Sequence, residues 1–226
     1  LELASSDIDG SAVAAVARIL ADEKISIESI VQRGKIEKDT PRATAPFILI
    51  THDKGDSVGL ALLQVYQAYE TKPYTIQHHF ITNGNIYLPL AQLTTAQKVL
   101  LNPISGPLIS SILSGDRFSQ GLADSAFATT IPQSEIDAYA SILDYQDGSR
   151  VQHEIIEYLN ERAENEVGWL EGLAKSEIPT TLIWGEQDAI APVAVPDYVW
   201  ANYLMDRAVP ATYWRIPCAD HYLQVD

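Results

Sequence analysis

A chain of 226 residues that is 46% hydrophobic, with 12 glycines and 12 prolines, can bury a sizeable core and is too apolar to be disordered. Its formal net charge of −15 at pH 7 repels phosphate backbones and anionic lipid, which leaves nucleic acid and membrane surfaces poor partners. A single cysteine, Cys218, excludes an internal disulfide and a cysteine metal cluster, and it suits a reducing, cytoplasmic setting. No apolar run is long enough to span a bilayer. No basic segment precedes an apolar stretch near the start, so no signal peptide is expected. A start at Leu1 rather than Met fits a piece of a longer protein.

The first fifty residues read as β-α-β-β. Leu1 to Ala4 is a short apolar run, and Asp7 to Gly10 is a turn. Val13, Val16, Ala17 and Leu20 recur at helical spacing, and residues 25–31 alternate as a strand does. Residues 34–44 are charged, contain Pro41 and read as a loop. Phe47 to Thr51 is an apolar run suited to a buried parallel strand. A tight turn follows at His52 to Ser57, then a helix through Val65, then a strand over Ile76 to Thr82. That β-α-β unit predicts a parallel sheet. Strand signals then stop for about ninety residues. Helical stretches take their place, one of them expected over Val151 to Leu173. Strands resume at Thr181 to Trp184 and at Thr212 to Ile216, with a helix over Val195 to Leu204 between them.

Three acid–base residues follow three of these strands. Asp53 follows the first, Asp188 lies in Trp184-Gly185-Glu186-Gln187-Asp188, and His221 lies in Asp220-His221-Tyr222. Taken singly, Asp53 reads as a helix N-cap, Asp188 as a turn residue and His221 as a surface histidine. Taken together, their order is nucleophile, acid, histidine, and one edge of a parallel sheet would gather them. No spacing among His78, His79 and His153 suggests a metal, and no cofactor motif is present.

The segment from His52 to Asp226 resembles α/β-hydrolases with a helical cap, and in particular the mesoderm-specific-transcript-like branch. The resemblance rests on His52-Asp53-Lys54-Gly55-Asp56, Thr82-Asn83-Gly84-Asn85-Ile86-Tyr87, Asp147-Gly148, Tyr158 to Arg162, Trp184 to Asp188 and Asp220-His221-Tyr222. It implies a hydrolase part over residues 47–226, with a cap insertion at about 84–177. It also implies that Asp53 is a carboxylate nucleophile, as in epoxide hydrolases and haloalkane dehalogenases, acting on a small apolar substrate through a covalent ester. Asp188 and His221 would complete the triad, and the Lys54 N–H would help hold the oxyanion. Cap tyrosines protonate the opened oxygen in such epoxide hydrolases, which makes Tyr87 and Tyr145 candidates. Dehalogenases commonly carry a tryptophan after the nucleophile, and Lys54 stands there instead. Thr51 occupies a position that is usually glycine, so strain is expected at the turn. The family's early strands and its His-Gly-x-Pro oxyanion loop have no counterpart in these residues, and impaired activity is expected.

Residues 1–52 are similar to an ACT domain, most of all the regulatory segment of homoserine dehydrogenase. The matching residues are Asp7 to Gly10, Ala14 to Leu20, Ile25 to Arg33 and Pro46 to His52. This implies an ACT-like βαββ segment over 1–46 ahead of a partial α/β-hydrolase sheet, which gives the chain the look of a chimera. It also implies an alternative function as an amino-acid-binding module, with a homodimer as its assembly, or a catalytically inert chimera.

Overall fold

The computed structural model describes residues 46–72 and 74–226. The ACT-like segment at 1–46 therefore lies outside the described residues, apart from Pro46. The described residues fall into two compact units, each assembled from several stretches of chain.

The first unit holds residues 46–86, 166–183 and 197–214. Strand β1 (Phe47–His52) leads through Asp53 into helix α1 (Lys54–Ala68), and β2 (Ile76–Thr82) pairs with β1 in parallel. β2 pairs in parallel with β3 (Thr180–Gly185), and β4 (Ala211–Ile216) is next in the sheet. The expected strands at 47–51, 76–82, 181–184 and 212–216 are thus all present. Leu60, Leu62 and Leu63 of α1 are each at most 1% exposed, so this helix is apolar on more than one face, as a fully enclosed helix must be. Leu49, Ile81, Leu170, Leu173 and Leu182 complete this core.

Arg207 ties the unit together through main-chain carbonyls. Its guanidinium donates to Leu173 O at 3.0 Å, Ile178 O at 2.7 Å, and Val209 O and Pro210 O at 3.2 Å each. Burial holds its pKa below the usual arginine value.

The second unit holds residues 87–165, 184–196 and 215–226. Its helices are α2 (Thr95–Leu101), α3 (Ser105–Ile112), α4 (Gly115–Ser125), α5 (Gln133–Asp144) and α6 (Gln152–Ile155), with a 3-10 segment over Tyr145–Val151. Thr94 opens α2 with a reciprocal capping box to Gln97. The helix expected over 151–173 is divided. α6 ends at Ile155, and α7 (Tyr158–Lys175) starts afresh and continues into the first unit. At the break the bonds shorten to three-residue spans, Leu159 N–H to Ile156 O and Asn160 N–H to Glu157 O. No Pro or Gly marks the spot, so hydrophobic periodicity carried no sign of it. The expected helix at 195–204 is α8 (Ala194–Val199), continued by a π turn over Trp200–Leu204.

Candidate active site

The nucleophile candidate sits in a strained backbone. Asp53 has φ 49° and ψ −117°. Gln146 and Asp147 also have positive φ, but their ψ values of 38° and 26° put them in the left-handed helical region that polar residues tolerate. Asp53 lies outside that region, where only glycine is at ease. Its side chain does not cap α1, which removes the reading of Asp53 as an N-cap. Its N–H donates to Asn83 O at 3.0 Å, and its carbonyl accepts from Asp56 N–H at 3.1 Å. Both hold the residue in this turn.

Two glycines make room for the turn. A Cβ on Gly84 would lie 2.2 Å from Asp56 Oδ2, 2.9 Å from Asp53 O and 3.1 Å from Asp53 Cα. The loop leaving β2 therefore packs on the elbow only because residue 84 is glycine. A Cβ on Gly59 would lie 2.6 Å from Thr51 Cγ2 and 3.1 Å from His79 Nε2. The bulk of Thr51 is thus offset on the helix side, and Thr51 carries no positive φ. Its hydroxyl lies 3.0 Å from Nε2 of His79, which is fully buried with its pKa pushed down to about 3, chiefly by burial. Gly55, by contrast, has open space around it. Lys54 is the buried first residue of α1, where backbone N–H groups have no carbonyl one turn back within the helix.

The acid and the histidine meet in the second unit. His221 Nδ1 lies 2.8 Å from Asp188 Oδ2, and these residues are 3% and 2% exposed. Asp188 Oδ1 accepts from the N–H groups of Ile190 at 2.8 Å and Ala191 at 2.9 Å, so the carboxylate is oriented by its own turn. Trp184 Nε1 donates to Ala191 O at 2.7 Å and closes that turn. A Cβ on Gly185 would lie 2.4 Å from Asp220 O and 2.6 Å from Ala219 O, so the absence of a side chain there lets the histidine loop approach. Glu186 N–H to Ile216 O and Gln187 N–H to Ala219 O fix that approach. Tyr222 stacks on Phe127, with centroids 4.8 Å apart, and its N–H donates to Ala126 O. Asp220, whose pKa burial raises, accepts from His221 N–H. With Nδ1 directed at a carboxylate, Nε2 is the ring atom suited to proton transfer.

Tyr87 is half-buried, and Tyr145 is 72% exposed on its 3-10 segment. In the second unit a cavity of about 640 Å³ is lined by Leu88, Leu93, Leu101, Leu159 and Ala189, with Gln92, Lys98 and Asn160 as its polar groups. Among the described residues no cluster of His, Cys, Asp and Glu is placed to hold a metal ion, and no helix is long and apolar enough to cross a membrane. Gly84 and Gly185 stand in segments that carry the family resemblance, but sequence reasoning assigned no packing role to them or to Gly59.

This fold is that of the α/β-hydrolases. An α/β-hydrolase-fold protein from Burkholderia ambifaria superposes with a TM-score of 0.63, at 16% identity over 98% of this chain and 70% of its own. The haloalkane dehalogenase DbeA from Bradyrhizobium elkani gives 0.64 at 13% identity, over 98% and 71%. At such identities the likeness concerns the fold. In sequence, the chain is 30% identical over 185 residues to LipZ of Mycobacterium tuberculosis, a protein named as a hydrolase. It is also 30% identical over 147 residues to the mesoderm-specific transcript homolog protein of Homo sapiens. The chain spans 62% of the length of the first and 44% of the second, and these alignments cover 81% and 64% of the chain. No family model matches the chain.

Proposed function

We propose that the protein is a hydrolase of the α/β-hydrolase superfamily that uses Asp53 as a carboxylate nucleophile on a small apolar epoxide or haloalkane-like substrate. The observation that carries this reading is the conformation of Asp53, φ 49° and ψ −117° with no helix-capping bond, which is the strained strand-to-helix turn expected of a nucleophile. A carboxylate oxygen attacks the electrophilic carbon and forms an ester as the carbon–halogen or carbon–oxygen bond breaks. Halide leaves as such, whereas an epoxide oxygen takes a proton from an acid, for which half-buried Tyr87 suits better than exposed Tyr145. Water then attacks the ester carbonyl, and His221 Nε2 takes its proton while Asp188 stabilises the imidazolium. Hydroxide adds, the alcohol departs and the Asp53 carboxylate is restored. The backbone N–H of Lys54 is a candidate donor to the oxyanion.

The test is intact mass of His221→Ala after incubation with a panel of epoxides and haloalkanes, followed by peptide mapping. A substrate-sized adduct on Asp53, absent when Asp53→Asn is added, is expected. No adduct on a folded protein would remove the carboxylate mechanism. The ACT-type alternative rests on residues outside the described ones, and its signature is amino-acid-dependent thermal stabilisation without turnover.

A further inference from the structure

Both residues that flank His221 are held by the connection between α4 and α5. α4 ends where Ala126 N–H donates to Leu122 O at 2.9 Å, and Pro132 opens α5. Carbonyls at a helix C-terminus, and the N–H groups of the turn beyond it, find no partner within the helix. Here both kinds of group turn to the histidine loop. Ala126 O accepts from Tyr222 N–H at 3.1 Å, and the Phe127 ring stacks on Tyr222 with the two planes 10° apart. Asp226 Oδ1 accepts from Ala128 N–H at 2.9 Å, Thr129 N–H at 3.3 Å and the Thr129 hydroxyl at 3.4 Å. Asp226 Oδ2 accepts from Asp220 N–H at 2.8 Å. One carboxylate thus joins the connection to the residue before His221, and Tyr222 joins it to the residue after.

The chain between these anchors folds back on itself. Val225 N–H donates to Tyr222 O at 2.9 Å, which returns Asp226 to the side of Asp220. His221 N–H donates to Asp220 Oδ1 at 2.7 Å, so the hold on Asp220 passes directly to the histidine backbone. The bond from Nδ1 to Asp188 fixes one atom of the imidazole and leaves the ring free to swing about it. Where Nε2 lies then depends on the backbone of residue 221, and two anchors on its flanks remove that freedom. Asp226 keeps its place against like charge. Burial is the main reason that the pKa of Asp220 is raised, and the charges of Asp188 and Asp226 add to it. An amide at 226 would avoid that repulsion, but it has one acceptor oxygen and could serve only one side. A carboxylate serves both, through the stronger bonds that a charged acceptor makes.

We infer that Asp226 and Phe127 are positioning residues for His221, which they seat on the connection between α4 and α5. The inference rests on the reading of His221 as the base of ester hydrolysis. Misplacing a reacting group by about 1 Å costs about 10²-fold, so Asp226→Ala and Phe127→Leu should slow hydrolysis of the Asp53 ester by up to that factor. Ester formation should be unchanged, so the adduct should accumulate with His221 intact. A readout that needs no substrate is the Nδ1 proton of His221 in the magnetic resonance spectrum of protein carrying isotope-labelled histidine, identified by its absence in His221→Ala. Bonded to Asp188 Oδ2, it should resonate far downfield in the wild type, and it should shift upfield or vanish by exchange in both variants. Thr94→Ala, which removes the cap of α2 in the same unit, should lower the melting temperature and leave this proton in place. A proton unchanged in both variants overturns the inference. Its absence from the wild type does so too, as does its loss in Thr94→Ala, which would mark general loosening. If no epoxide or haloalkane labels Asp53 in His221→Ala, the proposed reaction fails, and the proton alone decides whether Asp226 and Phe127 set the ring.

Discussion

Asp188 divides its carboxylate between two tasks: Oδ2 lies 2.8 Å from His221 Nδ1, and Oδ1 is held by the Ile190 and Ala191 N–H groups. Replacing it with Asn keeps an oxygen for the backbone bonds and turns an amide towards the imidazole, which disfavours the productive tautomer. Asp188→Asn should fold normally and lose about 10³–10⁴-fold in kcat on any substrate found for the enzyme. Turnover within tenfold of wild type would remove Asp188 from the mechanism.

Asp53 should show opposite effects on stability and activity. Asp53→Gly relieves a backbone conformation that costs about 1–3 kcal/mol, so the melting temperature should rise while ester formation disappears. Were the side chain a helix cap, the same change would lower the melting temperature.

Gly84→Ala sets a methyl 2.2 Å from Asp56 Oδ2 and 2.9 Å from Asp53 O. The loop must retreat, at about 1–3 kcal/mol, and the elbow shifts with it. Chemical denaturation measures the first effect. The rate of adduct formation on Asp53 in the His221→Ala background measures the second, which should fall more than the stability does.

Thr51 and Gly59 should be coupled. Gly59→Ala alone meets Thr51 Cγ2 at 2.6 Å and should destabilise despite the gain of about 1 kcal/mol in helix propensity. Thr51→Ser removes that methyl and keeps the hydroxyl bonded to His79. The double variant should recover about 1–2 kcal/mol relative to the sum of the singles. Simple additivity in urea melts would show that the two residues do not compete for space.

His79 should make the fold acid-sensitive. Its folded pKa of about 3 lies below the ordinary 6.5, so the unfolded chain binds the extra proton. The stability is complete above about pH 6.5 and is lost as pH falls towards 3, by roughly 2 kcal/mol at pH 5. His79→Gln, which retains a polar group facing Thr51, should flatten the pH dependence of unfolding over that window. An unchanged slope would mean that the imidazole already titrates normally in the native protein.

Much of the fold was legible because it rests on period and order. The runs at Phe47, Ile76, Thr181 and Thr212 carry strand signals over strand length, and the helical stretches between the second and third were legible as well. Asp188 and His221 could be named together from their places after two strands, and His221 Nδ1 lies 2.8 Å from Asp188 Oδ2. The break between α6 and α7 was invisible because Ile156 and Glu157 are ordinary helix residues. The fit of Thr51 was also hidden, since the space it needs belongs to Gly59, eight residues on and on another element.

The clamp made by Arg207 bears on how the sequence can drift. All four of its acceptors are main-chain carbonyls, so those bonds place no demand on the side chains of half-buried Val209 and exposed Pro210, while Leu173 and Ile178 are held by the core instead. Position 207 has no such latitude, because lysine offers a compact ammonium where a planar fork reaches several segments at once. Variation around this site should therefore fall on positions 209 and 210, beside one position that admits no substitute.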